Sequence, residues 1–358
     1  MNLAFSRRIE DTDRLLQIIA EKKSAQEVVQ EIDEQQNLFA EDTILLDSSD
    51  PESVLAHKTK SPSLIIHTRP LNEIRRLNTF LAYSNYCLDK GNYIFCRCTT
   101  ADVQKEKILK HNPSLLNYLL YFLFYCWHRV FPSLLLTKGF YYWVTKGKSR
   151  VFSRVEVLGR LYRAGFEVVH EEIANGEFYV IASKQKNPIR DEKPSDGLLI
   201  KLKRTGKNGK IGVYKFRTMY AYSEYLQPFI YKQQGLHTGG KIAHDYRVTT
   251  IGKFLRKVWL DELPMLINWI KGDLKLVGVR PLSPHYFSLY SGELQALRVQ
   301  TKPGLIPPFY ADMPVTLDEI QMSEKRYLNA YMESPLLTDW KYFWKALWNI
   351  VVKKERSK

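Results

Sequence analysis

The most apolar part of the sequence, residues 115–136, contains two interruptions that restrict how it can fold. One straight helix of this length would measure ~33 Å, enough to cross a bilayer core of about 30 Å. However, Arg129 lies inside the segment, and an arginine at the centre of a membrane costs roughly 2.5–3.5 kcal/mol. Pro132 would also break the helix. We therefore do not expect the segment to span a membrane, and we predict two helices joined by a break.

Two arrangements of this apolar segment stay open. It can form a buried helix pair inside an α/β domain, or a helix–break–helix hairpin that enters one membrane leaflet and returns. The many aromatic residues suit both arrangements, because tyrosine and tryptophan are common in cores and at membrane interfaces. Basic residues beside the segment favour the membrane, as phospholipid contacts would require: Lys138, Lys146, Lys148 and Arg150.

The rest of the chain divides into sections by pattern. Residues 1–59 are acidic and helical, with one short strand predicted at 43–46. Residues 60–185 alternate strand and helix signals, with strands predicted at 63–67 and 93–98 and a helix at 71–90. A polar, proline-bounded linker at 184–194 precedes the last section, residues 186–358. We predict an incomplete, Rossmann-like α/β domain followed by a small α+β domain, which combines a β-hairpin with several amphipathic helices.

Residues 60–185 resemble the second half of a class I methyltransferase. The resemblance rests on a strand–helix–strand order and on the final pair of strands, which opens with Ala164-Gly165-Phe166-Glu167-Val168-Val169. The glycine-rich loop that would hold S-adenosylmethionine is missing from the sequence before residue 60. We therefore interpret this domain as structural or regulatory.

The four cysteines indicate a reducing compartment. They are too few and too clustered for a disulfide framework, with two of them in Cys96-Arg97-Cys98. The first residues lead into acidic sequence and include no apolar signal core. We expect a protein that is not secreted.

Positive charge is concentrated in one part of the sequence. The chain has 53 Lys and Arg against 38 Asp and Glu, a net charge of +15. Residues 201–280 hold 16 Lys and Arg and 5 Asp and Glu, a net of +11, whereas residues 1–60 hold 7 and 13, a net of −6. Such a localised excess indicates a binding site for an anion. Nucleic acid is not the expected partner, because the stretch includes paired carboxylates and matches no nucleic-acid module.

A predicted β-hairpin supplies the first cations of this site. The strands at 197–204 and 213–217 are separated by a glycine-containing turn. Lys215 and Arg217 alternate with aromatic residues, so both cations lie on one face of the second strand. The alternatives are a solvated edge strand and a pair of cations that faces a phosphate.

Two adjacent carboxylates, Asp261 and Glu262, follow a short basic helix. Asp261 alone could be the N-cap of a helix over residues 262–270. Arginines before and after the pair favour a catalytic site that binds phosphate over a helix cap. These arginines are Arg247, Arg256 and Arg280. One carboxylate can bind Mg²⁺ that bridges substrate phosphates, and the other, kept ionised by cations, can attack phosphorus. Arg280, beside a rigid proline, can bind a phosphate through two nitrogens.

Five motifs in the last domain resemble the bacterial sugar transferase family over about residues 194–350, in order and in spacing. They are Tyr214-Lys215-Phe216-Arg217-Thr218-Met219, Thr250-Ile251-Gly252-Lys253-Phe254-Leu255-Arg256-Lys257, Leu260-Asp261-Glu262-Leu263-Pro264, Lys271-Gly272-Asp273 and Val277-Gly278-Val279-Arg280-Pro281-Leu282. The family consists of monotopic enzymes that transfer sugar phosphates to polyprenyl phosphate.

The resemblance implies a function and a set of roles. A sugar 1-phosphate would pass from a UDP-sugar to polyprenyl (undecaprenyl) phosphate at the cytoplasmic face of the bacterial inner membrane, which initiates exopolysaccharide, lipopolysaccharide or other glycoconjugate synthesis. Asp261 would be the nucleophile that forms a phosphosugar-aspartate and releases UMP, and Glu262 would hold Mg²⁺. The phosphate-binding candidates are Lys215, Arg217, Arg247, Arg256 and Arg280. A homodimer is left open.

The sequence departs from the family pattern in four places, one of which is Asn329, where the family often carries an aspartate. The only candidate membrane hairpin lies roughly 60 residues before its usual position. The usual Gly-Pro-Arg-Pro reads Gly278-Val279-Arg280-Pro281, and a Thr-Gly-Trp-type segment is replaced by Leu305-Ile306-Pro307-Pro308-Phe309-Tyr310. These changes motivate the alternative of a membrane-surface scaffold with a decayed transferase site.

The sequence pattern of residues 339–354 also indicates a contact with a membrane. Trp340, Trp344 and Trp348 recur at helical spacing within residues 339–354, and lysines flank the face that they form. This arrangement is typical of a helix in the membrane interface. The alternative is an ordinary helix with its apolar face against the core.

Overall fold

The structure, a computed structural model, describes residues 2–111, 114–148, 150–189, 197–226, 229–230 and 245–352. Contacts divide the chain into two compact units. Unit 1 comprises residues 1–196 together with 220–229, and unit 2 comprises residues 197–219 and 230–358. The segment Tyr220–Phe229 therefore belongs to unit 1, although the residues on both sides of it in the chain belong to unit 2.

Unit 1 is built on a five-stranded sheet with the order β1-β2-β3-β5-β4. The strands are β1 (Thr43–Leu46), β2 (Leu64–His67), β3 (Tyr93–Cys98), β4 (Phe166–Ala174) and β5 (Glu177–Lys184). β1, β2 and β3 are parallel, and β5 lies antiparallel between β3 and β4. The central strands read as continuous apolar runs because both of their faces are buried: Ile66, Phe95 and Ile181 pair across them and are nearly inaccessible.

The described part of unit 1 also contains seven helices. They are α1 (Asn2–Glu21), α2 (Ala25–Glu34), α3 (Leu77–Cys87), α4 (Ala101–His111), α5 (Ser114–Tyr125), α6 (Leu135–Thr145) and α7 (Arg154–Arg163). A π-helical turn, Cys126–Val130, and a 3₁₀ turn, Phe131–Ser133, separate α5 from α6. Further 3₁₀ turns are Gln36–Leu38, Ser53–Lys60, Leu71–Glu73 and Ser223–Leu226. α2 is representative: Ser24 caps it through the Glu27 N–H, and Val28 and Ile32 face the core.

The buried ring of Tyr222 contributes to holding the segment Tyr220–Phe229 in unit 1. The Tyr222 hydroxyl accepts a hydrogen bond from Asn78 Nδ2 at 2.7 Å, and the Arg160 guanidinium lies 4.1 Å from the centre of the Tyr222 ring. α7 approaches this segment so closely that a Cβ at Gly159 would lie 2.2 Å from the Tyr222 carbonyl oxygen. Glycine is therefore required at position 159.

Unit 2 combines two small sheets with helices. β6 (Leu199–Gly206) and β7 (Gly209–Phe216) form a hairpin, and β8 (Lys275–Val277) pairs in parallel with β9 (Gly304–Ile306). The helices are α8 (Thr250–Lys257), α9 (Met265–Ile270), α10 (Pro284–Ser288), α11 (Gly292–Arg298), α12 (Phe309–Asp312), α13 (Leu317–Glu333) and α14 (Pro335–Val351). The core of this unit lies under α13, where Val277, Leu294 and Tyr327 are buried together.

Most predicted elements are present. The chain is mixed α/β, the strands at 43–46 and 93–98 are confirmed, and so is the hairpin in unit 2. The continuous helix predicted over 71–90 is wrong in its first part, because Leu71–Glu73 is a 3₁₀ turn and α3 begins at Leu77. Asn72 accounts for the difference, since its side chain exchanges hydrogen bonds with the backbone of Thr99 instead of facing solvent.

Two predictions about membranes can be placed on this fold. In the part of the chain that the structure describes, no helix has the length and apolarity needed to cross a bilayer. The C-terminal helix forms, and Trp340, Trp344 and Trp348 are all exposed along it. Its buried side chains include Ala346 and Asn349, and Phe343 packs against the core of unit 2. The core-facing alternative for the tryptophan face is therefore wrong.

Candidate active site

Asp261 and Glu262 lie on a single 3₁₀ turn, Leu260–Glu262, between α8 and α9. The chain reverses just before this turn, where Trp259 adopts a left-handed conformation with φ 58°. The expectation that Asp261 caps the next helix is wrong: α9 begins at Met265, its N-cap is Pro264, and no side chain caps it. Asp261 is thus not needed to start a helix.

The hairpin of unit 2 brings a lysine onto the carboxylate pair. Lys215 Nζ lies 2.5 Å from Glu262 Oε1, and Arg280 Nη2 lies 3.7 Å from the same oxygen. The Lys215 side chain is 16% exposed and that of Glu262 is 28% exposed. Because both groups are largely removed from water, their attraction is stronger than that of a surface ion pair.

The two neighbouring carboxyl groups differ in acidity. Burial raises the pKa of Asp261 above its ordinary value, and the Glu262 charge adds to this rise, against the opposing effect of Lys215 and Arg256. Burial acts in the same direction on Glu262, but Lys215 and Arg280 outweigh it and bring the pKa of Glu262 below its ordinary value. Asp261 is therefore the more basic and more nucleophilic carboxylate, and Glu262 keeps its charge to lower pH.

Arg256 is positioned by Thr218, which follows β7 in the chain. Its Nε donates to Thr218 Oγ1 at 2.9 Å. The Thr218 carbonyl oxygen accepts from the N–H of Thr249, the N-cap of α8, at 3.0 Å. A Cβ at Gly252 would lie 1.9 Å from that carbonyl oxygen, so α8 fits here only with glycine. Sequence analysis assigned Thr218 no role, although the residue lies inside one of the quoted motifs.

A buried ion pair supports the loop that carries Arg280. Arg298 pairs with Glu324, and both side chains are about 95% buried, with exposures of 5% and 6%. The other terminal nitrogen of Arg298 donates to the backbone carbonyl of Arg280. Sequence analysis missed this pair, because neither residue lies in a motif and they are 26 positions apart.

Asn268 positions the strand that carries Lys215. This residue of α9 is fully buried. Its Oδ1 accepts from the Tyr214 N–H at 2.9 Å, and its Nδ2 donates to the Gly212 carbonyl at 2.7 Å and to Asp273 at 3.1 Å. The amide thereby fixes β7 against α9, one residue from Lys215. Sequence analysis missed this role as well.

Replacing Asn268 with alanine should destabilise the protein. The change leaves the Tyr214 N–H and the Gly212 carbonyl without their partner, and unsatisfied buried polar groups cost ~1–3 kcal/mol each, or roughly 2–6 kcal/mol together. Urea denaturation measures the free energy of unfolding. Asn329→Ala, at an exposed position of α13, is the matched control and should stay within about 0.5 kcal/mol of the native protein. Equal stability of the two variants would contradict this role for Asn268.

Two predicted phosphate ligands are bound elsewhere. Arg217 Nε donates to the Gly197 carbonyl at 2.8 Å. The buried Arg247 forms a two-nitrogen contact with Asp245 at 2.8 and 2.7 Å, which compensates its charge. The assignment of both arginines as phosphate ligands stays a prediction.

The carboxylates suit a metal that is shared with a substrate. Among the described residues, no three His, Cys, Asp or Glu side chains are grouped so that they could hold a metal ion. Mg²⁺ does not need such a group, because one or two carboxylates, waters and substrate phosphates complete its shell. Glu262 directs Oε1 to Lys215, which leaves Oε2 as its candidate metal ligand.

Comparison with known proteins shows which family this part of the chain is similar to. Residues 189–353 match the model of the family described as bacterial sugar transferase. A galactosyl transferase, CpsE, of Streptococcus agalactiae is 35% identical over 133 residues, which are 36% of this chain and 29% of that protein.

Two further relatives carry more specific names. An undecaprenyl-phosphate galactose phosphotransferase of Salmonella typhimurium is 34% identical over 108 residues, 28% of this chain and 22% of that protein. A UDP-glucose:undecaprenyl-phosphate glucose-1-phosphate transferase of Caulobacter vibrioides is 44% identical over 63 residues, 17% of this chain and 24% of that protein. This chain thus spans less than a third of the length of each of these relatives.

Proposed function

Because residues 189–353 match the model of the bacterial sugar transferase family, we propose that this protein transfers a sugar 1-phosphate from a UDP-sugar to polyprenyl (undecaprenyl) phosphate. The contact of Lys215 with Glu262, next to Asp261, carries this proposal. It joins two motifs that lie 47 residues apart into one site with a nucleophile and with cations for phosphate. The product would be the first lipid-linked intermediate in exopolysaccharide or glycoconjugate synthesis.

The chemistry proceeds in two displacements at phosphorus. The Asp261 carboxylate attacks the β-phosphorus of the UDP-sugar, and the bond from that phosphorus to the bridging oxygen breaks, so that UMP leaves with the bonding electrons. An oxygen of polyprenyl phosphate then attacks the same phosphorus, and the bond to Asp261 breaks. The products are polyprenyl diphosphate-sugar and a regenerated carboxylate. A carboxylate with a raised pKa is a stronger nucleophile for the first step.

The cations of the site stabilise charge in both steps. Lys215 and Arg280 lie on the Glu262 side of the site, and Arg256 acts on the Asp261 side. Positively charged groups fixed in advance around a transferring phosphoryl group are an effective form of electrostatic stabilisation. Mg²⁺ held by Glu262 would supply Lewis-acid stabilisation of the pyrophosphate when it is bound.

Unit 2 carries apolar surface that suits a lipid substrate. The exposed residues lie on α8, α9 and α14 and include Ile251, Phe254, Ile270, Trp340 and Trp348. Exposed large apolar residues in this number favour a binding face for a membrane or a partner. We place the protein at the cytoplasmic face of the inner membrane as a monotopic or peripheral protein.

The alternative is a membrane-surface scaffold whose site no longer turns over. One assay decides between the two functions: purified protein, Mg²⁺, polyprenyl phosphate and a panel of UDP-sugars, with UMP measured. We expect UMP release with at least one UDP-sugar and its loss when EDTA removes the metal. Absence of UMP with every sugar nucleotide, from protein that is folded, would favour the scaffold.

The pH dependence of turnover should report Asp261. Its pKa is raised, so the carboxylate protonates at a higher pH than an ordinary aspartate, and kcat/KM should fall as the pH drops through that value. Arg256 lowers this pKa, and Arg256→Gln should therefore move the acid limb of the profile to higher pH. Lys253→Gln, on the same helix, is the control and should leave the limb in place. A limb that moves to lower pH in Arg256→Gln would contradict the assignment.

A further inference from the structure

We propose that unit 1 has its own membrane-binding surface, formed by the outward faces of α5 and α6, and that this surface lies on an anionic phospholipid bilayer without crossing it. The proposed function places a transferase at a membrane but gives unit 1 no part in the attachment. The inference rests on that function only for the presence of a membrane. Four features of residues 114–148 support it.

The first feature is the inverted polarity of α5. Asn117, the only amide side chain in this helix, is 8% exposed and turned toward the protein. The large apolar residues face outward with exposures between 41% and 66%: Leu116, Tyr118, Leu119, Leu120, Phe122 and Leu123. A helix on the surface of a water-soluble domain shows the opposite arrangement, with the apolar stripe toward the core. α5 is therefore adapted to apolar surroundings on its outer face.

α6 repeats this inversion. Leu136 is 96% exposed and Trp143 is 77% exposed, and Phe140 and Val144 are exposed as well. Tyr141 is fully buried on the inner face, where its hydroxyl lies 3.2 Å from His128 Nδ1. In both helices an uncharged polar side chain is thus directed into the protein, and large apolar side chains are directed out of it.

The break between the helices is fixed to the body of unit 1. Arg129 pairs with the buried Glu156 of α7, and it donates to the Val151 carbonyl at 3.1 Å. The charge that opposed membrane insertion in the sequence is therefore neutralised inside the protein. Because the break is anchored, it cannot be the inserted tip of a hairpin, and the exposed faces exclude a buried helix pair. Helices that lie flat in the interface fit both observations.

The charge of the segment indicates the chemistry of the partner. Residues 114–148 contain four Lys and Arg and no Asp or Glu. Arg129 is used internally, and Lys138, Lys146 and Lys148 are exposed. Lysines beside an apolar, tryptophan-containing face attract the anionic headgroups of phospholipids. The 12 residues of α5 measure ~18 Å, too short for a bilayer core of about 30 Å.

Site-specific fluorescence on the full-length protein tests this surface. Leu119→Cys and Leu136→Cys, each in a Cys126→Ser background, are labelled with an environment-sensitive dye and mixed with vesicles of phosphatidylcholine and phosphatidylglycerol. We expect a blue shift at both positions and quenching by lipids brominated on their acyl chains. Val169→Cys, at an exposed apolar position of β4, is the matched control and should show neither effect. Circular dichroism verifies that each labelled variant is folded.

The outcomes separate this inference from the proposed function, because no turnover is needed for the readout. Protein that floats with vesicles while the dyes at 119 and 136 stay unchanged would overturn the inference and leave the transferase untouched. A shift that depends on protein concentration without lipid would also overturn it, in favour of a second copy as the occupant. The double variant Lys138→Gln/Lys148→Gln should need several-fold more lipid for the same shift at position 119. An unchanged lipid requirement would overturn the role of anionic headgroups.

Discussion

Asp261→Asn should abolish transfer while the protein stays folded. An amide cannot form the acyl phosphate, so we expect UMP release to fall by at least ~10⁴-fold, the scale seen when a covalent nucleophile is removed. The measurement is UMP release at saturating UDP-sugar and polyprenyl phosphate. At neutral pH, the melting temperature of Asp261→Asn should be higher than that of the native protein. A carboxyl whose folded-state pKa is raised weakens the fold once it is ionised, and the amide removes this effect.

Asp318→Asn is the control for this change. Asp318 is exposed on α13, so the substitution alters the same side chain without touching the site. Its UMP release should equal that of the native protein. Equal release from Asp261→Asn and the native protein would remove Asp261 from the mechanism.

Lys215→Met should reduce turnover by about 10²–10³-fold, the usual effect of removing one preorganised electrostatic group. Methionine keeps most of the volume of the buried side chain but carries no charge. Glu262 then retains only Arg280 as a close cation, so its pKa should rise. We expect a lower kcat and a weaker dependence on Mg²⁺, both measured through UMP release in a magnesium titration.

Lys210→Met is the matched control for this lysine. Lys210 lies on the same strand, β7, but at an exposed position near the turn. Its kinetics should match those of the native protein. A Lys215→Met variant with native turnover would show that the contact with Glu262 has no catalytic role.

Local parts of the fold and site follow from neighbouring residues. The β6–β7 hairpin was predictable because Gly209, with φ 103°, supplies the turn conformation that few other residues adopt. The α8 helix begins where Thr249 can cap it. Asp261 and Glu262 are close because they are adjacent in the chain, and no tertiary information is needed to pair them.

Distant contacts in the site were beyond sequence reasoning. The 3.7 Å approach of Arg280 to Glu262 depends on the packing of Arg298 against Glu324, two charged residues that look like ordinary surface positions of helices. In the sequence, Asn268 is a polar residue within an apolar helix. Its role is explained by the hydrogen bond that it accepts from the backbone of β7. Such roles arise from tertiary hydrogen bonds, which leave no periodic signal.

The exposure of the apolar segment, residues 115–136, could not be predicted from the sequence either. Its composition fits a core, a hairpin or an interfacial pair equally well, because burial is decided by what packs against a helix and not by its own residues. The position of Asn117 and the pairing of Arg129 with Glu156 distinguish these arrangements. Both depend on where α4 and α7 lie.

Trapping the phosphosugar-aspartate tests the central claim most directly. The native protein is incubated with Mg²⁺ and a UDP-sugar that supports turnover, without polyprenyl phosphate, and is then digested for mass spectrometry. We expect the peptide that contains Asp261 to gain the mass of one sugar phosphate, with a burst of about one UMP per active site, as for other covalent intermediates. Asp261→Asn should show neither. UMP release that strictly requires polyprenyl phosphate, with no burst and no adduct on that peptide, would contradict the account.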